Sequence, residues 1–345
     1  MKRLLALVLA LLLLSGCSAP ARVREFGSQR PNRPSASPTE TAPQNTQAPE
    51  TLPPETEPVQ TSSITPAFYK VTDDEGHRVW LMGSIHVGLP SFYPLPAYIT
   101  DAYENADALA VECDVVAFSS NFSAQLWALQ GMMYHDGSTI GDHLSEELYS
   151  YAVEILKEQR QYSSALEVYT PIFWSSAIDN YLTAQMGFDS ELGIDMYFLN
   201  DAYDTGKEIL EIESVEFQYN MLGGFPEQLQ VLMLEGSVYN YENPDEAKEQ
   251  LQALVDAWAL GDPEGLYALL SEEGEFESEE ERELYALYND EMIVKRNRNM
   301  ADYAEEALAS GKEVFICVGA AHVVGEGAMA DLLQQRGYTV ELIRP

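Results

Sequence analysis

Val314-Phe315-Ile316-Cys317-Val318-Gly319-Ala320-Ala321-His322-Val323-Val324-Gly325 sets five apolar residues in a row, then Gly-x-x-His, then a second glycine three residues on. Towards the other end of the chain, Val79-Trp80-Leu81-Met82-Gly83-Ser84-Ile85-His86-Val87-Gly88 follows the same plan. A short apolar run closed by glycine reads as a buried strand. The glycine permits a sharp turn or a close backbone approach. A histidine three residues further on then stands at the carboxyl edge of a sheet, where open α/β folds hold their ligands. One Gly-x-x-His is a common accident. Two, each after a buried strand, point to a single site shared by His86 and His322.

Working outward, residues 68–71 and 78–82 read as a strand pair around the turn Asp73-Asp74-Glu75-Gly76. A helix over about 96–105 leads to a short buried strand at 108–113. Residues 118–185 carry helical spacing, with 145–161 and 171–185 as its clearest segments. A helix at 193–205 and a strand at 207–212 follow. Long acidic amphipathic helices are expected at 215–234, 244–260 and 279–310. The chain closes with strand 313–318, helix 326–336 and strand 339–343. This order predicts an α/β fold whose mixed sheet is built from both ends of the chain, with a helical insertion between them. Residues 271–283 hold eight glutamates in 13 positions. They read as a solvated helix start or loop, with a calcium role as the alternative.

Met1-Lys2-Arg3 followed by the apolar run Leu4 to Leu14 has the plan of an export signal and is too short to span a bilayer. It ends Leu14-Ser15-Gly16-Cys17, which resembles the lipobox of bacterial lipoproteins, with Cys17 as the lipidated residue. Residues 1–16 are therefore expected as signal peptide, 17–66 as a disordered tether and 67–345 as the folded domain. The tether reading rests on composition: residues 18–66 hold ten of the 18 prolines and little to bury. The expected location is the cell membrane, lipid-anchored on the exported face. With 19 Lys and Arg against 56 Asp and Glu, the formal charge is −37. Such a surface repels phosphate backbones, so nucleic acid is excluded as a partner.

Glu112 interrupts an apolar strand, where an unpaired carboxylate is costly. Glu213 ends the strand at 207–212 in the same way. Asp195 begins a helix, so it is either a cap or a site residue. Arg296 is conspicuous in so acidic a chain; it pairs with one of these carboxylates, binds a substrate anion, or makes a surface ion pair. Two imidazoles with one or two carboxylates are a ligand set for Mn, Fe, Co or Zn. Cys113 and Cys317 are either a disulfide between neighbouring strands or, the blander reading, two buried thiols.

The paired motifs, together with Ala110-Val111-Glu112, Gly193-Ile194-Asp195, Glu211-Ile212-Glu213-Ser214 and Arg296-Asn297-Arg298-Asn299-Met300-Ala301, resemble the TraB/GumN family, which includes the Tiki metalloproteases. Lys295 departs from the acidic residue that many members carry there. The resemblance implies a fold like that of erythromycin esterase and the ChaN lipoproteins. It also implies divalent-metal-dependent hydrolysis, with the two motif histidines and a glutamate at the site. On that reading His86, His322 and Glu112 are metal ligands, and Glu112, Glu213 and Arg296 are the catalytic candidates. Glu112 or Glu213 completes the metal sphere and the other acts as base. The substrate is a peptide or protein. The alternative is a haem- or metal-binding lipoprotein without turnover. No His-Glu-x-x-His and no Gly-x-Ser-x-Gly occurs. Ser84, so close to His86 on one turn, is poorly placed for a serine esterase.

Overall fold

The computed structural model describes residues 64–272 and 276–345; the leader, Cys17 and residues 17–63 of the expected tether lie outside the described residues. All six strands expected from the sequence form: β1 Phe68–Thr72, β2 Arg78–Ser84, β3 Ala108–Val111, β4 Glu208–Glu211, β5 Val314–Gly319 and β6 Thr339–Leu342. They make one sheet in the order β4-β3-β5-β2-β1-β6. The run β4, β3, β5, β2 is parallel, whereas β1 pairs antiparallel with both β2 and β6. The fold is α/β with a mixed sheet drawn from both ends of the chain. Its central strand β5 is buried along its whole length, which is why its sequence is an unbroken apolar run rather than an alternation.

Fourteen α-helices complete the described residues. They are α1 Ala97–Asn105, α2 Val115–Ser120, α3 Phe122–Gln130, α4 Glu146–Glu158, α5 Pro171–Gln185, α6 Ile194–Thr205 and α7 Val215–Gly223. They continue as α8 Glu227–Glu242, α9 Pro244–Leu260, α10 Pro263–Leu270, α11 Glu279–Asn289, α12 Lys295–Ser310, α13 Ala320–Val323 and α14 Met329–Gln335. Three expectations are corrected. The helix expected at 215–234 is two, because Gly223-Gly224-Phe225-Pro226 breaks it and Pro226 becomes the residue before α8. The helix expected at 279–310 carries a π-turn at Asp290–Val294, where the Lys295 N–H donates to the Asp290 carbonyl. The last helix starts at Met329, and the separate turn α13 ahead of it carries His322. The start of the glutamate-rich α11 is capped by Ser278, whose Oγ accepts from the Glu281 N–H at 3.1 Å. Its first three glutamates face the positive end of the helix dipole.

The main core lies against the sheet, and the helical insertion builds two smaller cores of its own. Among the described residues, the chain is already packed at Ile64. Ile64 is buried in the sheet core, and the Thr65 N–H donates to the Ala259 carbonyl at 2.7 Å.

Deep in the insertion, Asp179 of α5 is buried against α8, where Ser237 Oγ donates to its Oδ2 at 2.8 Å and Oδ1 has no partner. Burial outweighs the hydrogen bonds from Ser237 and Ser175 and lifts its pKa from 3.8 to about 7. The folded state thus holds this proton over a window in which the unfolded chain has lost it. Stability from this residue is full below about pH 4, declines as pH rises towards 7 and stays low above it. A shift of about three units corresponds to roughly 4 kcal/mol in all. Asp179→Asn should therefore raise the denaturation midpoint at pH 8 and flatten the decline between pH 4 and 7. An unchanged pH profile in the variant would assign the decline to other groups.

Candidate functional site

Because β2, β3, β4 and β5 are parallel, their carboxyl ends share one edge of the sheet. His86, Glu112, Glu213 and His322 each follow one of those ends by one to three residues. Glycine is what lets them converge. A Cβ placed on Gly319 would lie 3.2 Å from Glu112 Oε1, 3.3 Å from His86 Nε2 and 3.6 Å from His322 Cδ2. The two imidazoles therefore approach one point, and those last two atoms are no further apart than the sum of the two gaps. The other motif glycine, Gly83, faces Ala320 of the second motif, whose Cα would be 3.1 Å from a Cβ there. The two motifs pack directly on each other.

The cation beside the carboxylates is Arg296. Fully buried, it donates from Nε to Glu213 Oε1 at 2.8 Å and from Nη2 to Glu213 Oε2 at 2.9 Å. Nη2 also bonds Glu112 Oε2, and Nη1 donates to the Met292 carbonyl inside the π-turn at 3.2 Å. Gln218 Nε2 donates to both carboxylates, at 3.1 Å to Glu112 and 3.0 Å to Glu213. The Gly319 N–H closes the set on Glu112 Oε1 at 2.7 Å. Burial alone would raise the Glu112 pKa, but the guanidinium, aided by the two histidines, holds it at about 2. Of the three readings of Arg296, the structure shows carboxylate pairing, with two partners rather than one.

Each imidazole is held by its Nδ1. His86 Nδ1 donates to Asp195 Oδ2 at 3.2 Å, so Asp195 is a partner of the site. Asn297 Nδ2 donates to the Gly327 carbonyl at 2.9 Å, which turns its Oδ1 towards His322. His322 Nδ1 therefore donates to that oxygen, at 2.7 Å, and its Nε2 carries the lone pair. Burial and the nearby Arg296 push the His322 pKa down to about 3. For His86, burial opposes the charge, but Asp195 outweighs it and raises the pKa above the ordinary value.

A buried imidazole whose Nδ1–H is anchored, leaving Nε2 for an ion, is the arrangement found at metal-ligating histidines. The donor chemistry around Gly319 thus suits a divalent ion. The grouping does not yet close on one: among the described residues no three His, Cys, Asp or Glu side chains are placed to hold a metal. That also leaves the glutamate-rich start of α11 without a calcium site among its described residues. Cys113 and Cys317 are free, buried thiols. Ser84 Oγ is buried without any hydrogen-bond partner, so no base engages it as a nucleophile. Sequence reasoning gave no role to Gln218 or Asn297. Asn297 had one available signal, its place directly after Arg296. Gln218 had none, being one glutamine on an amphipathic helix.

The profile of the TraB/PrgY/gumN family matches residues 67–342. The Escherichia coli (strain K12) protein named "Uncharacterized protein YbaP" is 28% identical over 255 residues, covering 74% of this chain and 87% of that protein. An "Uncharacterized protein" of Treponema pallidum (strain Nichols) is 22% identical over 275 residues, 78% of this chain and 80% of its own length. A "Metalloprotease TIKI homolog" of Nematostella vectensis is 24% identical over 168 residues, 44% of this chain and 36% of that protein. No solved structure gives a significant match.

Proposed function

This chain belongs to the TraB/PrgY/gumN family, and on that premise we propose that it is a hydrolase, a divalent-metal-dependent peptidase working at the His86–His322 edge of the sheet. The observation that carries the proposal is the pair of imidazoles facing one point with both Nδ1 atoms anchored, by Asp195 and Asn297. The distant likeness to a protein named as a metalloprotease supports hydrolysis and a metal.

His86 and His322 would hold the ion through Nε2, with Glu112 on the third side; Mn, Fe, Co and Zn are the metals such a set suits. Once bound, the ion supplies Lewis acidity to a carbonyl and acidity to a water. Asp195 and Asn297 fix the ring planes, so neither imidazole can turn its Nε2 away. Glu112 Oε1 has a lone pair to spare beyond its bond from Gly319 and stays ionised, so it can orient a water beside His86 Nε2. Glu213 has both oxygens committed to Arg296 and is a positioning residue. The substrate is a peptide or protein. The chain is expected at the outer face of the cell membrane through lipid on Cys17. No helix among the described residues is long and apolar enough to cross a membrane.

Protein purified without chelator should contain one of these metals in stoichiometric amount and cleave an unfolded protein, with loss on chelation and return on metal addition. Protein that is metal-free, cannot be loaded and cleaves nothing would end the reading. A Soret band on haem addition, lost in His86→Ala, would move it to a binding protein instead. For the anchor, Cys17→Ser should abolish incorporation of labelled fatty acid; equal labelling would refute the lipobox.

A further inference from the structure

Beside the two histidines a cavity of about 390 Å³ opens where the sheet core meets the first core of the helical insertion. Leu270 and Leu332 line it from the sheet side and Ile293 from the insertion. These three, with Tyr267, Tyr285 and Val294, keep part of their surface open, so a ligand in the cavity can touch them. The His86 side chain lines the same space and is 15% exposed, so that ligand also reaches the imidazole. In a chain with 56 acidic residues, Glu326 is the one carboxylate in the lining among the described residues. Glu326 and Arg298 are both exposed and opposite in sign, and Arg296 is neutralised by its two glutamates. Space of this size with so little net charge suits an uncharged apolar group.

One wall is built by the π-turn. Tyr285, Asn289, Val294 and Arg298 line the cavity at spacings of four, five and four residues, and Tyr288, Ile293 and Asn297 at five and four. A regular helix keeps a row of side chains at a spacing of four. The fifth residue in each row falls at the π-turn Asp290–Val294, which adds one residue to a single turn. Both α11 and α12 thereby face the cavity along one continuous wall, while Arg296 stays on Glu112 and Glu213. We propose that the cavity is a specificity pocket for a large aromatic or branched aliphatic side chain, carried by the peptide residue next to the bond presented to His86 and His322. Ile293 and Leu270 set its fit from opposite cores. Tyr267 and Tyr285 offer rings, which favour an aromatic side chain over a straight acyl chain. This rests on the hydrolase reading and names its substrate class: peptides with a large apolar residue, and not an acidic one, beside the cut bond.

The test is a binding titration on the full chain by ligand-observed NMR, which needs no turnover. N-acetylphenylalaninamide and N-acetylleucinamide should bind about tenfold tighter, or more, than the corresponding amides of alanine, glutamate and lysine. Leu270→Trp, which fills the cavity, should weaken both large amides by about tenfold, and Ile293→Ala, which removes the facing contact, by about fivefold. Leu269→Trp, one position along and outside the lining, should leave binding unchanged. Alanine or glutamate amide bound as tightly as phenylalanine amide, or no binding by any probe, would overturn the proposal. So would a folded Leu270→Trp variant with unaltered affinity, or octanamide bound tenfold tighter than N-acetylphenylalaninamide. In a digest of an unfolded protein, a large apolar residue should stand at one fixed position beside the cut bonds. Apolar-amide binding by a chain that never cleaves would leave the pocket standing and remove the hydrolase reading; cleavage without amide binding or residue preference would do the reverse.

Discussion

Arg296→Met should lower the unfolding free energy at pH 7 by about 3–5 kcal/mol, the usual cost of stranding a buried charge by removing its partner. Here two carboxylates would be stranded, Glu112 and Glu213, both nearly inaccessible to solvent. The remaining donors, Gln218 Nε2 and the Gly319 N–H, are neutral and cannot replace a guanidinium. Denaturant titration measures the effect, with Lys295→Ala as the neighbouring control. Lys295 is half exposed and pairs with Asp290 and Glu291 on the surface, so its loss should change stability by about 0.5 kcal/mol or less. Where Arg296→Met proves too unstable to fold, Arg296→Met with Glu112→Gln and Glu213→Gln should recover a cooperative transition, since no charge is then left unpaired. An Arg296→Met variant no less stable than the Lys295→Ala control would mean that the network is not the fixed ion cluster described.

His86→Ala and His322→Ala are each expected to reduce kcat/KM by about a thousandfold or more, and the double variant to be no worse than either single one. Residues that act as one unit lose their whole effect at the first deletion. Both imidazoles face the point beside Gly319, and neither could hold an ion there alone. Stability distinguishes the two. His322 is buried and its loss leaves Asn297 Oδ1 without a donor, a cost of about 1–3 kcal/mol, whereas His86 bonds to a partly exposed carboxylate and should matter less. Asp195→Ala and Asn297→Ala, which only release the rings, should weaken metal binding by about 10- to 100-fold. Multiplying effects, with the double variant far below both singles, would show two separate sites.

Much of this site was readable because its carriers are local patterns. A strand buried on both faces must be apolar throughout, so β5 and the carboxyl edge with His86 and His322 follow from a dozen residues. A glutamate at the end of such a strand demands a partner, which marks Glu112 and Glu213. The partner is not local: Arg296 reaches Glu112 across 184 positions, and no spacing rule separates that bond from a metal ion or a surface pair. The π-turn before Arg296 adds no residue type that a plain helix lacks, so the helix at 279–310 read as continuous. The break at Gly223-Gly224-Phe225-Pro226 is a different matter. Two glycines and a proline are a stop signal, and the apolar spacing on either side masked it.

The place of β5 in the sheet also fixes when the molecule can come into being. β5 is the fifth strand to leave the ribosome, yet it separates β3 from β2. Until residues 314–319 are available, the earlier strands can form only two unconnected ribbons, β1 with β2 and β3 with β4. Two-stranded ribbons are at best marginal in water. Every chain stopped short of β5 is thus barred from completing the sheet and from bringing His86 to its counterpart. Assembly waits for nearly the whole polypeptide, which would suit a chain kept threadable for the export proposed above. It also keeps the His86–His322 edge blank until the last strands arrive.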